Sequence, residues 1–303
     1  MNKNCLGLCL LLSLALPSFA KEDKTHRWDG SIEVSREDES SVVVDEIDNV
    51  SRADSASMKY KASLRYRYRP YEHTKASISY SLSTKNYDDA SGFDSDLNML
   101  SASFGREFEH FTLGVRGQLI DSELAGAEFL EIDQVSPYVS FFLSKKWFVN
   151  ASYRYSDKEI ISNPDRSASS DTYTADVYYF IRGVRNFWIF SVRSKTEEAT
   201  NALYDYELKQ ARISYTRRYN WWDWDHKLRV NWRFQERDYN SLIDPVIGDF
   251  RRDLRRQWQF IWDIEFTDNW MLGLEYKRND NNSNSANSDY DQNSTSVSLE
   301  YSF

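Results

Sequence analysis

The sequence predicts an all-β protein, a transmembrane antiparallel up-and-down β-barrel of about 14 strands. Three observations lead there. Apolar and aromatic side chains recur at every second position along most of the 303 residues. The polar connections between these runs alternate between short and long. The chain ends inside a strand, on Phe303. A period of two marks a strand with one apolar and one wet face. No stretch beyond residue 20 reaches the roughly 18 apolar residues of a spanning helix, but a barrel strand shows lipid only every second residue.

The first element is a leader. Met1–Ala20 carries Lys3, an apolar run from Leu6 to Leu16 and a Ser18-Phe19-Ala20 cleavage site, the layout of a secretory signal peptide. Cleavage after Ala20 leaves residues 21–303 as the barrel. Both cysteines, Cys5 and Cys9, leave with it, which excludes disulfide scaffolds, cysteine-bound zinc and thiol chemistry from the exported chain. The remainder is acidic, the full chain having a net charge of −9, which argues against nucleic-acid binding.

The strands follow in order. Met58, Tyr60, Ala62, Leu64, Tyr66 and Tyr68 alternate with Lys59, Lys61, Ser63, Arg65 and Arg67. Ala76, Ile78, Tyr80 and Leu82 alternate with serines. Similar rows start at Leu113, Val135, Trp147 and Tyr173, then at Leu228, Trp258 and Trp270, and the last holds Val297, Leu299, Tyr301 and Phe303. Short connections are expected near 70–74, 109–110, 144–146, 183–186, 220–224 and 267–269. Long ones are expected near 36–55, 88–96, 121–131, 157–170, 196–203, 238–250 and 279–292. Six short and seven long connections imply an even strand number with both chain ends on the short-turn side, as in outer-membrane barrels.

A soluble β-sandwich or periplasmic barrel would also alternate. Against it stand the number of strands and the aromatics beside the short turns: Tyr66, Tyr68, Phe108, Phe111, Trp147, Trp222, Trp224, Phe266 and Trp270. These are the positions of an interfacial girdle. The terminal aromatic strand resembles the signal read by the barrel assembly machinery. The expected surroundings are outer-membrane lipid and lipopolysaccharide.

With the apolar parity outward, the lumen is assigned by parity. Inward bases are Lys59, Lys61, Arg65, Arg67, Arg212, Lys227, Arg229, Arg233, Arg237 and Arg255, joined by Lys75, Arg116, Arg154, Arg182, Arg193 and Lys277. Inward acids are Asp253, Asp263, Glu265, Glu275 and Glu300, joined by Asp29, Glu33, Glu107 and Asp176. Bases outnumber acids, so a net basic lumen is expected, with much of the negative charge in external loops; the first holds Glu37, Asp38, Glu39, Asp45, Glu46, Asp48 and Asp54. A basic row either pairs with facing carboxylates and braces the wall or lowers the barrier for anions.

Enzymatic readings find little support. His26, His73, His110 and His226 all map to the short-turn rim, where no nucleophile set assembles, and no phosphate-binding fingerprint is present. The oxygen-rich run Asp280–Asp291 is compatible with calcium but lacks EF-hand spacing and reads first as a solvated loop. No cofactor and no metal site is expected.

From about Asp225 the chain resembles the barrel domain of surface lipoprotein assembly modifier proteins. The features are Arg252-Asp253 opening a strand, Asn269-Trp270, Leu274-Glu275-Tyr276, and an Asn/Ser-rich loop running to Tyr290-Asp291 and Asn293 before the final strand. The resemblance implies a role in moving lipoproteins, or in relatives polysaccharide, to the cell surface; the tetratricopeptide repeats of that family are absent here. In size and strand number the chain also resembles monomeric porins that admit oligosaccharides. The expected function is thus a porin-like channel for anionic or sugar-like solutes. The alternatives are an accessory export barrel and a closed structural or adhesive barrel.

Overall fold

Alternating sequences pair edge to edge until no free edge remains, and here the pairing closes on itself. The computed structural model describes residues 25–303; the predicted leader and its cleavage point lie outside the described residues. The long strand β1 (His26–Glu39) precedes two short ones, β2 (Val42–Val44) and β3 (Asn49–Ser51). Next come β4 (Ser55–Tyr68), β5 (Thr74–Tyr87), β6 (Ser95–Glu107), β7 (Thr112–Leu124), β8 (Ala127–Ser144), β9 (Trp147–Ile160) and β10 (Ala168–Phe180). The chain finishes with β11 (Asn186–Ala199), β12 (Tyr206–Trp221), β13 (Trp224–Asp238), β14 (Arg252–Glu265), β15 (Trp270–Ser283) and β16 (Tyr290–Ser302). All strands except β2 and β3 form one closed antiparallel barrel of 14, with β1 closing on β16. Gly30 N donates to Phe303 O at 3.0 Å and Phe303 N to Gly30 O at 2.9 Å, so both ends of the barrel meet on one rim.

The molecule is turned inside out relative to a soluble protein. Ile32, Leu64, Ile78, Leu119, Tyr173, Val192 and Phe260 are exposed on the outer wall, whereas Ser57, Ser294, Asp253 and Asp263 are buried. Exposed apolar surface on this scale requires a covering solvent of hydrocarbon. Ring pairs band the short-turn rim: Trp28–Tyr66 and Trp188–Tyr215 at 4.7 Å, Trp147–Tyr179 at 4.6 Å and Trp270–Tyr301 at 5.0 Å.

Connections at the short-turn rim fall where the sequence predicts them. The tightest has Trp222 and Asp223 in the left-handed region (φ 52° and 63°), the twist a two-residue hairpin needs. A non-glycine residue there is strained, and the stacking of Trp222 on Trp221 at 4.2 Å offsets part of the cost. The opposite rim departs from expectation most at two connections. The long connection expected over 121–131 is only Ala125-Gly126, both at positive φ (52° and 77°), because β7 and β8 run on as a hairpin with a bulge at Ser122/Glu123. The connection expected over 36–55 is shortened by β1, which extends to Glu39, and the rest does not project outward. Residues 42–51 form the β2–β3 hairpin, and its Val44 and Ile47 pack on Phe129, Leu130 and Ile160.

Candidate functional site

The register fixes which side chains share the inner face. Lys61 stands opposite Glu33, and Lys227 opposite Asp263. Arg212 stands opposite Arg233, Arg237 opposite Asp253, and Gln235 opposite Arg255. Glu275 stands opposite Ser296, and Glu300 opposite Glu33. Lys59, Arg65, Arg67, Arg229 and Glu265 fall on this same parity, away from the apolar belt, while Val297, Leu299 and Phe303 are exposed on the belt with Tyr301 among them.

Some of these residues brace the wall. Asp263, buried, accepts from Lys227 Nζ and from Arg229 Nη2, both at 3.1 Å. Asp29 accepts from Arg67 Nε at 2.8 Å. Glu275 accepts from Gln259 at 2.7 Å, and Glu300 from Ser302 at 3.1 Å. Lys85 spans Glu37 and Glu39 at 2.8 and 2.7 Å, a pairing the sequence reading missed because it placed both acids in an external loop.

Others are left with little opposing charge. Arg193 lies near the like charges of Arg154 and Arg212 and the single opposing charge of Asp176, and Arg233 near the like charges of Arg212, Arg193 and Arg255. Among the described residues Arg116, Arg154, Arg193 and Arg233 make no ion pair, and Arg212 has one long contact, to Asp176 at 3.6 Å. The buried Nε of Arg193, Arg212, Arg229, Arg233 and Arg237 lacks a hydrogen-bond partner. These arginines lie on β7, β9 and β11–β13. The facing arc of β16, β1 and β4–β6 is lined by Ser294, Ser296, Ser35, Ser63, Ser79, Ser81 and Ser101 at the same parity. Lys59, Lys61 and Arg65 of β4 stand among these serines, so the lumen has a guanidinium flank facing an arc of serines interrupted by basic side chains.

The β2–β3 hairpin crosses the outer end of this space and corrects the expectation that its acids face outward. Asp45 accepts both guanidinium nitrogens of Arg255, at 2.5 and 2.8 Å, and the Tyr290 hydroxyl at 2.9 Å. Asp48 accepts a second fork from Arg251, at 2.7 and 2.8 Å, one bond from Arg166 at 2.5 Å and one from the Ser288 hydroxyl at 3.0 Å. Burial alone would push the Asp48 carboxyl up; Arg251 and Arg166 reverse this and hold it well below the usual carboxylate range. Asp45 follows the same logic through Arg255. Burial and the like charge of Asp45 push Glu46 up. Arg255 is thus a hairpin anchor rather than an open pore arginine, and Arg251 in turn holds Asp253 at 2.8 Å. Beside the hairpin lies a cavity of about 320 Å³ bordered by Glu46, Arg154, Arg193, Arg237 and Tyr206.

The histidines map to the opposite rim. His226 is buried, its Nε2 3.1 Å from Trp221 O and its Nδ1 accepting from Trp262 Nε1 at 3.1 Å, within the aromatic band. Half of the run Asp280–Asp291 is absorbed into β15 and β16. Among the described residues no three His, Cys, Asp or Glu side chains gather as a metal cage.

No protein-family model matches this chain, and no curated protein matches it. Solved structures do. The anion-selective porin from Comamonas acidovorans aligns over 92% of this chain and 99% of its own at 8% identity, with a TM-score of 0.54. OmpT of Vibrio cholerae aligns over 94% and 99% at 10% identity, with a TM-score of 0.51. CdiB from Acinetobacter baumannii aligns over 90% and 60% at 12% identity, with a TM-score of 0.50. The shared property is the fold, a closed antiparallel barrel of the outer-membrane type.

Proposed function

We propose that this chain is an outer-membrane channel that admits small anionic solutes, acidic sugars among them. One observation carries the reading: the arginine flank of β7, β9 and β11–β13 stands in the lumen with almost no compensating acid. A row of fixed positive charge between low-dielectric walls raises the local concentration of anions and opposes cations. Arg212 and Arg233 face each other directly across β12 and β13, a destabilising placement that passing anions relieve. The serine flank gives sugar hydroxyls donors and acceptors along the same path.

The exposed belt and its aromatic band support the location. Strands of 13 to 18 residues exceed the roughly 9 to 11 that cross a bilayer, so the extra length stands above the membrane on the side of the long connections. The short-turn rim then faces the periplasm, and lipid and lipopolysaccharide surround the belt. Val297, Leu299, Tyr301 and Phe303 form the seam strand that the assembly machinery would grip. The channel needs no catalytic group.

The test is reconstitution in planar bilayers under a potassium chloride gradient. The expected result is discrete conductance steps with a reversal potential on the chloride side. Silent bilayers, or preference for potassium, overturn the proposal. The export reading makes a different forecast: loss of the gene depletes a surface lipoprotein or polysaccharide without changing small-solute uptake. The resemblance from about Asp225 onward to lipoprotein assembly barrels supports it, but the lumenal charge favours the channel.

A further inference from the structure

We propose that Arg166, Arg251 and Arg255 form a binding site at the outer mouth for a solute bearing two neighbouring carboxylates, an acidic oligosaccharide, and that Asp45 and Asp48 occupy that site in its absence. This rests on the channel reading and names its solute class and point of entry.

Four observations carry it. The contacts have the geometry used for free carboxylates, since two planar forks each grip both oxygens of one carboxyl group. Each arginine also has a partner outside the hairpin, Arg255 on the wall and Arg166 and Arg251 in the connections above it. Arg251 is tied to Asp253 and lies 4.4 Å over the Tyr239 ring, Arg166 lies 4.1 Å over Tyr204, and Arg255 bonds Asn281 at 3.2 Å. These partners remain when the hairpin leaves.

The hairpin itself is weakly built. β2 and β3 share three residue pairs, and an isolated two-stranded hairpin is marginal in water. Its apolar footing is the buried Val42 with Val44 and Ile47, and Arg52 adds bonds to Ala286 O and Asp289 O, so the two aspartates are its main charged ties rather than its whole seat. The charges also favour an anion there. Without the hairpin, Arg166, Arg237, Arg251 and Arg255 keep only Asp253 as a direct acidic partner among them, and Asp45, Glu46 and Asp48 supply the missing negative charge. The cavity beside the hairpin, bordered by Arg154, Arg193 and Arg237, leads a displacing anion onward to the arginine flank.

The test uses digalacturonate as probe, galactobiose as its uncharged counterpart and inorganic phosphate as a single-centre anion, titrated calorimetrically into the detergent-solubilised full barrel. Two variants free the site by different routes: Asp45→Asn with Asp48→Asn removes the stand-ins, and Ile47→Ser loosens the footing without touching any charge. Each should bind digalacturonate about tenfold more tightly than the parent, the gain expected when a competitor filling the site about nine-tenths of the time is removed. Adding Arg251→Ala to either should abolish the gain, and galactobiose and phosphate should show none. Equal affinity in the parent and both variants overturns the proposal, as does a gain shared by phosphate or one that survives Arg251→Ala. The potassium-to-chloride permeability of the same proteins separates the two readings. Anion preference with no affinity gain defeats only the binding site, and an affinity gain without conductance defeats only the channel.

Discussion

Replacing Arg233 by alanine isolates the contribution of one unpaired lumenal charge. Fourteen strands about 4.8 Å apart and tilted by about 40° give a wall radius of about 14 Å. An extended arginine then carries its charge to about 7 Å from the axis. At that distance a unit charge stabilises a monovalent anion by about 0.6 kcal/mol in water, and by about 1.2 kcal/mol where the wall halves the effective dielectric constant. Anion occupancy should therefore fall between about threefold and eightfold in Arg233→Ala. The assay is the reversal potential of the reconstituted channel at low salt. In 1 M salt, where the Debye length is about 3 Å, the effect should shrink. Arg229→Ala is the matched control, because Arg229 is committed to Asp263. It should lower thermal stability by about 1–3 kcal/mol and leave selectivity nearly unchanged. An unchanged reversal potential in Arg233→Ala, or an equal shift in Arg229→Ala, refutes the division into lining and bracing arginines.

Three further outcomes are expected. Asp263→Asn leaves Lys227 and Arg229 without their buried acceptor and should destabilise the barrel by about 3 kcal/mol, read as a lower temperature of unfolding on heated gels. A Cβ at Gly30 would lie 2.3 Å from the Phe303 ring; because that ring is the exposed end of the chain and can swing aside, Gly30→Ala should weaken the β1–β16 seam by no more than about 1 kcal/mol, and Phe303→Ala should relieve that defect in the double variant. The Asp48 carboxyl titrates below its ordinary 3.8 in the folded protein. Its contribution to hairpin docking is complete above that pH and lost as pH falls through the native value, while Glu46, pushed up by burial and Asp45, favours docking once protonated, so conductance should not rise between about pH 7 and 4 and should rise only in stronger acid. A rise already near neutrality would show that Asp48 is not the clasp.

How far the sequence was legible depends on the range of the interaction. The alternation Lys59-Tyr60-Lys61 is a property of adjacent residues, and it sufficed to number the strands, place both ends on one rim and assign an inner parity. Turn chemistry was legible only in part: Ala125-Gly126 lies inside a polar stretch that reads as a loop, and only Gly126 marked the left-handed turn that tightens it. The hairpin was not legible at all. Asp45 finds Arg255 from 210 positions away and Asp48 finds Arg251 from 203, and no local pattern distinguishes an acid bound for such a partner from one in solvent. For the same reason the sequence grouped Arg229, Arg233 and Arg255 as equals, although one braces, one lines and one anchors.

The unequal flanks of the lumen carry a consequence for anything in transit. A uniform ring of charge would leave a traveller free to roll about its long axis. A wall with closely grouped guanidiniums on one arc and serines concentrated on another makes one roll angle cheaper than the rest. An elongated sugar acid would descend with its carboxylates turned to β9–β13 and its hydroxyls to β5, β6 and β16. The conduit should therefore order the solute in transit, selecting its orientation as well as its sign.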